Sequence, residues 1–221
     1  MQLGSVTLFA IFIFCFLPSQ YGAPLYNITP SHPLAEGQTL VSPGQIFELG
    51  FFSTNISTYK YVGLWHKSIF PRKYVWGANR DNPLAATDTF ASLRIGRKSG
   101  SLELVDGNQT SVWSTNISNC SYAVLLDNGI FVVKDVGAVT WESSNNPSDT
   151  LLQSMFMGYD SSSGKIYFLT SWKGENDPSQ GLFLAGLSAE LPAQVFIWIL
   201  IDPLPTGEVG HGIQQRLLVY L

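Results

Sequence analysis

The sequence predicts an all-β fold, and three observations carry that expectation. Charged residues and aromatics each make up 13% of the chain, alongside 20 glycines and 12 prolines, the mixture of short strands joined by tight turns. Apolar residues alternate in short runs bounded by Gly, Pro, Asn and Ser, and none recurs with a period of about 3.6, so helices should be few. A unit of strand, turn and strand that ends in a tryptophan also recurs along the chain.

The first element is the apolar run Val6–Leu17 (VTLFAIFIFCFL), long enough for the hydrophobic region of a secretory signal and short for a bilayer span. Pro18 ends it, and Gly22 and Ala23 are small residues suited to a cleavage site. Residues 1–23 are therefore expected to be a signal peptide, although Met1–Ser5 lacks the usual Lys or Arg. Export agrees with five N-x-Ser/Thr acceptor sites, at Asn27, Asn55, Asn108, Asn116 and Asn119. Of the two cysteines, Cys15 lies in the signal, which leaves Cys120 without an internal disulfide partner, either buried or free to bridge another chain.

Gly37–Phe52 reads as a hairpin around Ser42–Gly44, and Tyr61–Trp65 with Lys73–Trp76 as a second. Leu93–Ile95 and Ser101–Val105 alternate around Lys98–Gly100, and Ser111–Trp113 returns after Asp106–Asn108. Ala123–Leu126 and Ile130–Val133 flank Asp127–Gly129, whose Asn128–Gly129 pair suits a type I′ turn because both residues tolerate positive φ. Val139–Trp141 closes the series. Trp76, Trp113 and Trp141 thus stand at equivalent strand ends, each followed by small and polar residues, and three such units can pool their rings in one shared core. A pseudo-threefold arrangement of sheets follows, with the tryptophans read as core rather than as sugar platforms.

Between two of these units lies the most distinctive stretch, Tyr74–Pro83 (YVWGANRDNP). Val75 and Trp76 end a strand. Asn79, Arg80 and Asp81 offer an amide, a guanidinium and a carboxylate that can bond to each other and to nearby backbone, and Asn82–Pro83 closes the strand as a turn. The cluster is read as a structural corner rather than a ligand site.

This stretch resembles the VWVANRDNP signature of the bulb-type (G-type) lectin domain of plant S-locus glycoproteins and S-domain receptor-like serine/threonine kinases. Leu40–Phe52, Tyr59–Ile69, Ser111–Asn116, Ala123–Asp135, Trp141–Leu152 and Leu169–Gly181 are similar to further markers of that family, in the same order. The resemblance implies a β-prism II bulb-type lectin domain at 24–146 and a partial S-locus glycoprotein region at 147–221, divergent after Leu184. It implies a truncated relative, since the family's EGF-like, PAN, transmembrane and kinase segments are not in the sequence. Gly77 stands where the family usually has Val.

Bulb lectins of this kind bind mannose through a Gln-x-Asp-x-Asn-x-Val-x-Tyr strand, whose alternate residues present amides, a carboxylate and a phenol on one face. Laid on this sequence, the motif falls on Arg97, Ser99, Ser101, Glu103 and Val105 with no match. On the next hairpin it falls on Leu126, Asn128, Ile130, Val132 and Lys134, where Val132 matches and Asn128 stands for the Asp; the first hairpin has Gln45 followed by Phe47 and Leu49. The sugar motif is thus degenerate.

Other chemistry has no pattern behind it. The net charge is −4 with dispersed basic residues, so nucleic acid is not a partner. His32, His66 and His211 lack metal-ligand spacing, no nucleophile elbow occurs, Gly207–Gly212 does not form a phosphate loop, and Glu142, Asp149 and Asp160 read as solvated. No cofactor, metal or enzymatic activity is expected, and Val195–Ile201 is too short to be a membrane span. The expected function is that of a secreted, apoplastic recognition glycoprotein. Its ligand would be a glycan, a peptide or an S-domain receptor ectodomain. A partner or decoy of full-length receptors and a non-functional product stay open as alternatives.

Overall fold

The computed structural model describes residues 24–54, 57–187 and 194–200, together with the backbone of one strand at Arg216–Leu218. The expected signal peptide, the Asn55 site and the 207–212 segment with His211 lie outside the described residues.

Alternation of apolar and polar residues is realised as three antiparallel sheets that turn their apolar faces toward one another. One sheet orders β2 (Thr39–Val41), β3 (Phe47–Phe52), β4 (Tyr59–His66) and β5 (Tyr74–Gly77), with β6 (Leu84–Ala85) pairing the start of β4. A second orders β1 (Leu34–Ala35), β7 (Ser92–Ile95), β8 (Leu102–Val105) and β9 (Ser111–Ser114). The third orders β10 (Tyr122–Leu125), β11 (Phe131–Asp135) and β12 (Ala138–Glu142). The expected hairpins are all present, and β1 and β6 are short additions that carried no sequence signal. Among the described residues the one helical element is a 3₁₀ turn at Ser143–Asn145.

The core forms where the three apolar faces meet. Leu49, Leu64 and Trp76 from the first sheet pack in one cluster with Leu93, Leu102 and Leu104 from the second and with Leu125, Phe131 and Val133 from the third. Burying one such side chain contributes about 1.5–3 kcal/mol, and no single sheet has a partner surface of its own to supply that. On β7 and β8 the outward residues between core aliphatics are Arg94 and Glu103, which pair across the strands at 3.1 Å.

The pseudo-threefold relation is visible in the register. Trp76 lies opposite Leu64, Trp113 opposite Leu104 and Trp141 opposite Val133, each a core residue on the middle strand of its sheet. In all three sheets the register slips by a bulge at the next step, Leu64/Trp65, Leu104/Val105 and Val133/Lys134. The three indoles then meet edge to face, with centroids 6.2 Å apart for Trp76–Trp113, 6.0 Å for Trp76–Trp141 and 5.8 Å for Trp113–Trp141. This is the geometry that aromatic quadrupoles favour.

One turn differs from expectation. In the β10–β11 loop Gly129 N–H donates to Leu126 O and Leu126 N–H to Ile130 O, and of the pair Asn128–Gly129 only Gly129 has positive φ, at 81°. That is a three-residue loop closed by a glycine, not a type I′ turn. The type I′ geometry is found at β11–β12, where Val136 and Gly137 take φ values of 46° and 90°.

Beyond the prism, β13 (Gly158–Asp160) pairs with β14 (Lys165–Tyr167). A second sheet there orders β15 (Leu169–Gly174), β16 (Asp177–Leu187), β17 (Val195–Ile199) and β18 (Arg216–Leu218). The apolar run at 195–199 is thus a strand, and no helix among the described residues is long and apolar enough to cross a membrane.

Candidate functional site

The signature residues leave β5 and separate toward different elements. Asn79, 2% exposed, accepts the Val62 N–H through Oδ1 at 2.8 Å and donates through Nδ2 to Lys60 O and Asn82 O. Asn82 donates to Val112 O at 2.8 Å, which ties the first sheet to β9. Pro83 then leads into β6. The expected bonds among Asn79, Arg80 and Asp81 are not made.

Instead Arg80 reaches across the molecule. Its Nε donates to Pro178 O at 2.6 Å, Nη1 to Ser148 Oγ at 3.2 Å, and Nη2 to Thr170 O and Ser171 O at 3.3 and 3.1 Å. Asp81 Oδ1 accepts the Gln180 N–H at 2.9 Å. Adjacent residues thus clamp the β15–β16 hairpin to the prism. Burial lowers the Arg80 guanidinium pKa, and the nearby charges of Asp149 and Asp81 oppose that. A Cβ at Gly77 would stand 3.1 Å from Arg80 Cγ, so the glycine leaves room for the arginine stem.

After the other two tryptophans the same register position is reached, by a backbone N–H in one case and by a side chain in the other. Thr115 N–H donates to Leu102 O at 3.0 Å, and Ser143 Oγ accepts the Phe131 N–H at 3.0 Å. With Asn79 on Val62 they close each middle strand two residues before the position facing its tryptophan. Sequence reasoning noted the polar run after each indole without assigning it this role.

The motif strands offer a sugar little. Leu49 is fully buried and Val132 is 1% exposed, while Ser101, Val105 and Ile130 are buried as well. Asn128 turns its Oδ1 to the Ile130 N–H at 3.1 Å, within its own loop. Of the acceptor asparagines, Asn27, Asn108, Asn116 and Asn119 are exposed. Cys120 is buried and unpaired, and burial pushes its thiol pKa up. Among the described residues no group of three or more His, Cys, Asp and Glu gathers to hold a metal.

Two clefts open where the prism meets the segment after Asn146. The first, about 410 Å³, has the edges of Trp76, Trp113 and Trp141 on one side and Arg80, Asn116 and Ser148 around it. Trp76 Nε1 is spent on Asn146 O at 2.9 Å. The second, about 880 Å³, lies between the Lys67–Lys73 loop and the β15–β16 turn. Its aromatic wall is Tyr74, stacked on Phe52 with centroids 3.8 Å apart and lying near parallel to Trp172 at 6.3 Å. Arg72 sits 4.7 Å over the Trp65 ring. Burial raises the Tyr74 phenol pKa, against the opposing pull of Arg72, and desolvation raises the Asp149 carboxyl against its own backbone N–H and Arg80. Lys73 has no ion pair among the described residues. An aromatic wall flanked by cations, carboxylates and hydroxyls can hold a polar ligand that has flat apolar faces.

The profile of the family described as D-mannose binding lectin matches residues 73–173. A G-type lectin S-receptor-like serine/threonine-protein kinase of Arabidopsis thaliana is 46% identical over 81% of the chain and 22% of its own length. The S-locus-specific glycoprotein S6 of Brassica oleracea is 37% identical over 93% of the chain and 48% of its own length. The chain therefore spans about half of the second relative and about a fifth of the first. Among solved structures, the Japanese Marasmius oreades lectin aligns over 54% of this chain and 90% of its own with a TM-score of 0.40 and 18% identity.

Proposed function

Because the chain carries a bulb-type (G-type) lectin domain related to those of plant S-receptor-like kinases and S-locus glycoproteins, we propose that it is a secreted, N-glycosylated recognition module that binds a glycan outside the mannose strands. We place the lectin domain at 24–146 and an S-locus-like region after it. The site is the second cleft, and the observation that carries this reading is the pairing of a half-buried aromatic wall, Tyr74 and Trp172, with Lys73, unpaired among the described residues, and the polar groups around it. A sugar ring lays its C–H face on an indole or phenol and its hydroxyls on charged neighbours. The motif strands lack that combination, since Leu49 and Val132 stand buried where the pattern needs polar or sugar-facing groups. Recognition is by shape and hydrogen bonding, with no catalytic step and no cofactor.

The test is a glycan array with neutral and carboxylate-bearing oligosaccharides, followed by titration calorimetry on the strongest hit. Trp172→Ala and Lys73→Glu, each checked for an unchanged melting transition, are expected to weaken the hit at least about tenfold, on the order of 1.4 kcal/mol. An array with no hit, or a hit indifferent to both substitutions, would overturn the assignment of this site.

A further inference from the structure

The first cleft has a candidate occupant within the chain itself. We infer that the N-linked glycan of Asn116 folds back into this cleft and lays its protein-proximal sugar over Trp113, closing the open end of the tryptophan triad. The inference rests on the secreted, glycosylated reading given above.

Four observations lead to it. Asn116 lies three residues after Trp113, and both line the same cleft with Trp141. The intervening turn is fixed, because Thr115 is held to Leu102 O and the Asn116 N–H donates to Ser114 Oγ at 3.1 Å. Asn116 has φ of 56°, the left-handed conformation that reverses the chain beside the strand end, and asparagine tolerates it better than most residues. Trp113 is only half-buried, and neither its indole N–H nor that of Trp141 makes a hydrogen bond among the described residues, whereas the Trp76 N–H is satisfied.

The chemistry of the first sugar suits those groups. An N-acetylglucosamine presents a flat C–H face to an aromatic ring, and its acetamido and hydroxyl oxygens are acceptors for indole N–H donors. A cleft of about 410 Å³ falls in the range that holds a small ligand, enough for the first one or two sugars. Arg80 and Asp81, which also line the cleft, are already bonded to the β15–β16 hairpin, so the glycan would meet groups held in place.

The neighbouring site at Asn119 has none of this. The residue three before it is Asn116 rather than an aromatic, and the hydroxyl of its Ser121 donates to Asp135 Oδ1 at 2.7 Å. Asn27 and Asn108 do not line the cleft, and Asn108 lies in an exposed loop after β8. Occupation of the first cleft by the chain's own sugar would leave the second cleft as the open face for an external ligand.

The experiment expresses the full chain in secretory cells restricted to high-mannose glycans. Glycopeptide mass spectrometry reads occupancy at each site, and a time course of native endoglycosidase digestion reads accessibility. Expected are occupancy at Asn116, trimming there at least about tenfold slower than at Asn108, and a melting temperature several degrees lower for both Asn116→Gln and Ser118→Ala. Asn108→Gln should melt with the parent. Two independent substitutions that remove the same acceptor site separate loss of the glycan from a local effect of either side chain. The inference is overturned if Asn116 is unmodified while other sites carry glycans, or if its glycan is trimmed as fast as that of Asn108 and its removal leaves melting unchanged. If no site carries a glycan, the secreted-glycoprotein reading falls together with it.

Discussion

Removing the Arg80 guanidinium should detach the β15–β16 hairpin from the prism before the prism itself unfolds. The head makes four hydrogen bonds, two of them at 2.6 and 3.1 Å to the carbonyls of Pro178 and Ser171. Hydrogen bonds to a charged group contribute about 1.5–3 kcal/mol each, so independent counting would give roughly 6–12 kcal/mol. That sum is too large, because the four bonds share one dehydrated head, and the lowered guanidinium pKa records that burial opposes its charge. An expected loss for Arg80→Ala of about 3–4 kcal/mol is more consistent with single-site effects at half-buried networks. In a protein of this size that lowers Tm by about 10 °C.

The distribution of the loss matters more than its size. Limited proteolysis followed by mass spectrometry should show new cleavage within 148–187 in Arg80→Ala, while the fluorescence of the tryptophan triad stays native. Arg80→Lys keeps a charge but cannot reach Pro178, Thr170 and Ser171 together, so it should recover no more than about half of the stability. If Arg80→Ala melts within about 1 kcal/mol of the parent, or if cleavage rises equally in prism and hairpin, the clamp described here is not what holds the two parts together.

Ser143→Ala leaves the buried Phe131 N–H without its 3.0 Å acceptor and is expected to cost about 1–3 kcal/mol by chemical denaturation, with slower-than-parent refolding not required. Val136, 92% exposed, holds φ of 46° in the β11–β12 turn, a conformation that a β-branched residue adopts under strain. Val136→Asn should therefore stabilise the protein by about 1 kcal/mol, read as a rise in Tm. Hydrogen bonds from Ser163 and Ser162 lower the Asp160 carboxyl to about 2 from its ordinary value of 3.8. A depressed folded pKa means stability that is present above the unfolded value and lost as pH falls from 3.8 toward 2. Asp160→Asn should thus melt below the parent at pH 7, with the gap closing across that window.

Much of the prism was legible because its signals are local. Leu93, Ile95, Leu102 and Leu104 alternate with Arg94 and Glu103, and a period of two admits only a strand with one buried face. The recurrence of Trp76, Trp113 and Trp141 was legible as well, since each ends a strand. What lay beyond reach was the destination of groups that bond to backbone. Arg80 finds acceptors 90 to 98 residues away, and a carbonyl at Thr170 or Pro178 has no side-chain signature to announce it. Asn128–Gly129 misled for a related reason. The dipeptide permits two positive φ values, but the bond from Leu126 N–H to Ile130 O closes a loop that needs only one, while Val136 accepts the type I′ role with Gly137. The departures from the mannose motif are read from the sequence alone, and they do not point to the second cleft. The second cleft joins Tyr74 to Trp172, residues nearly a hundred positions apart, and it exists because Arg80 and Asp81 hold β15–β16 against the prism. Under the proposed function the signature would bear on ligand binding indirectly, and disabling the clamp should abolish binding at the second cleft even though no signature side chain after Tyr74 lines it.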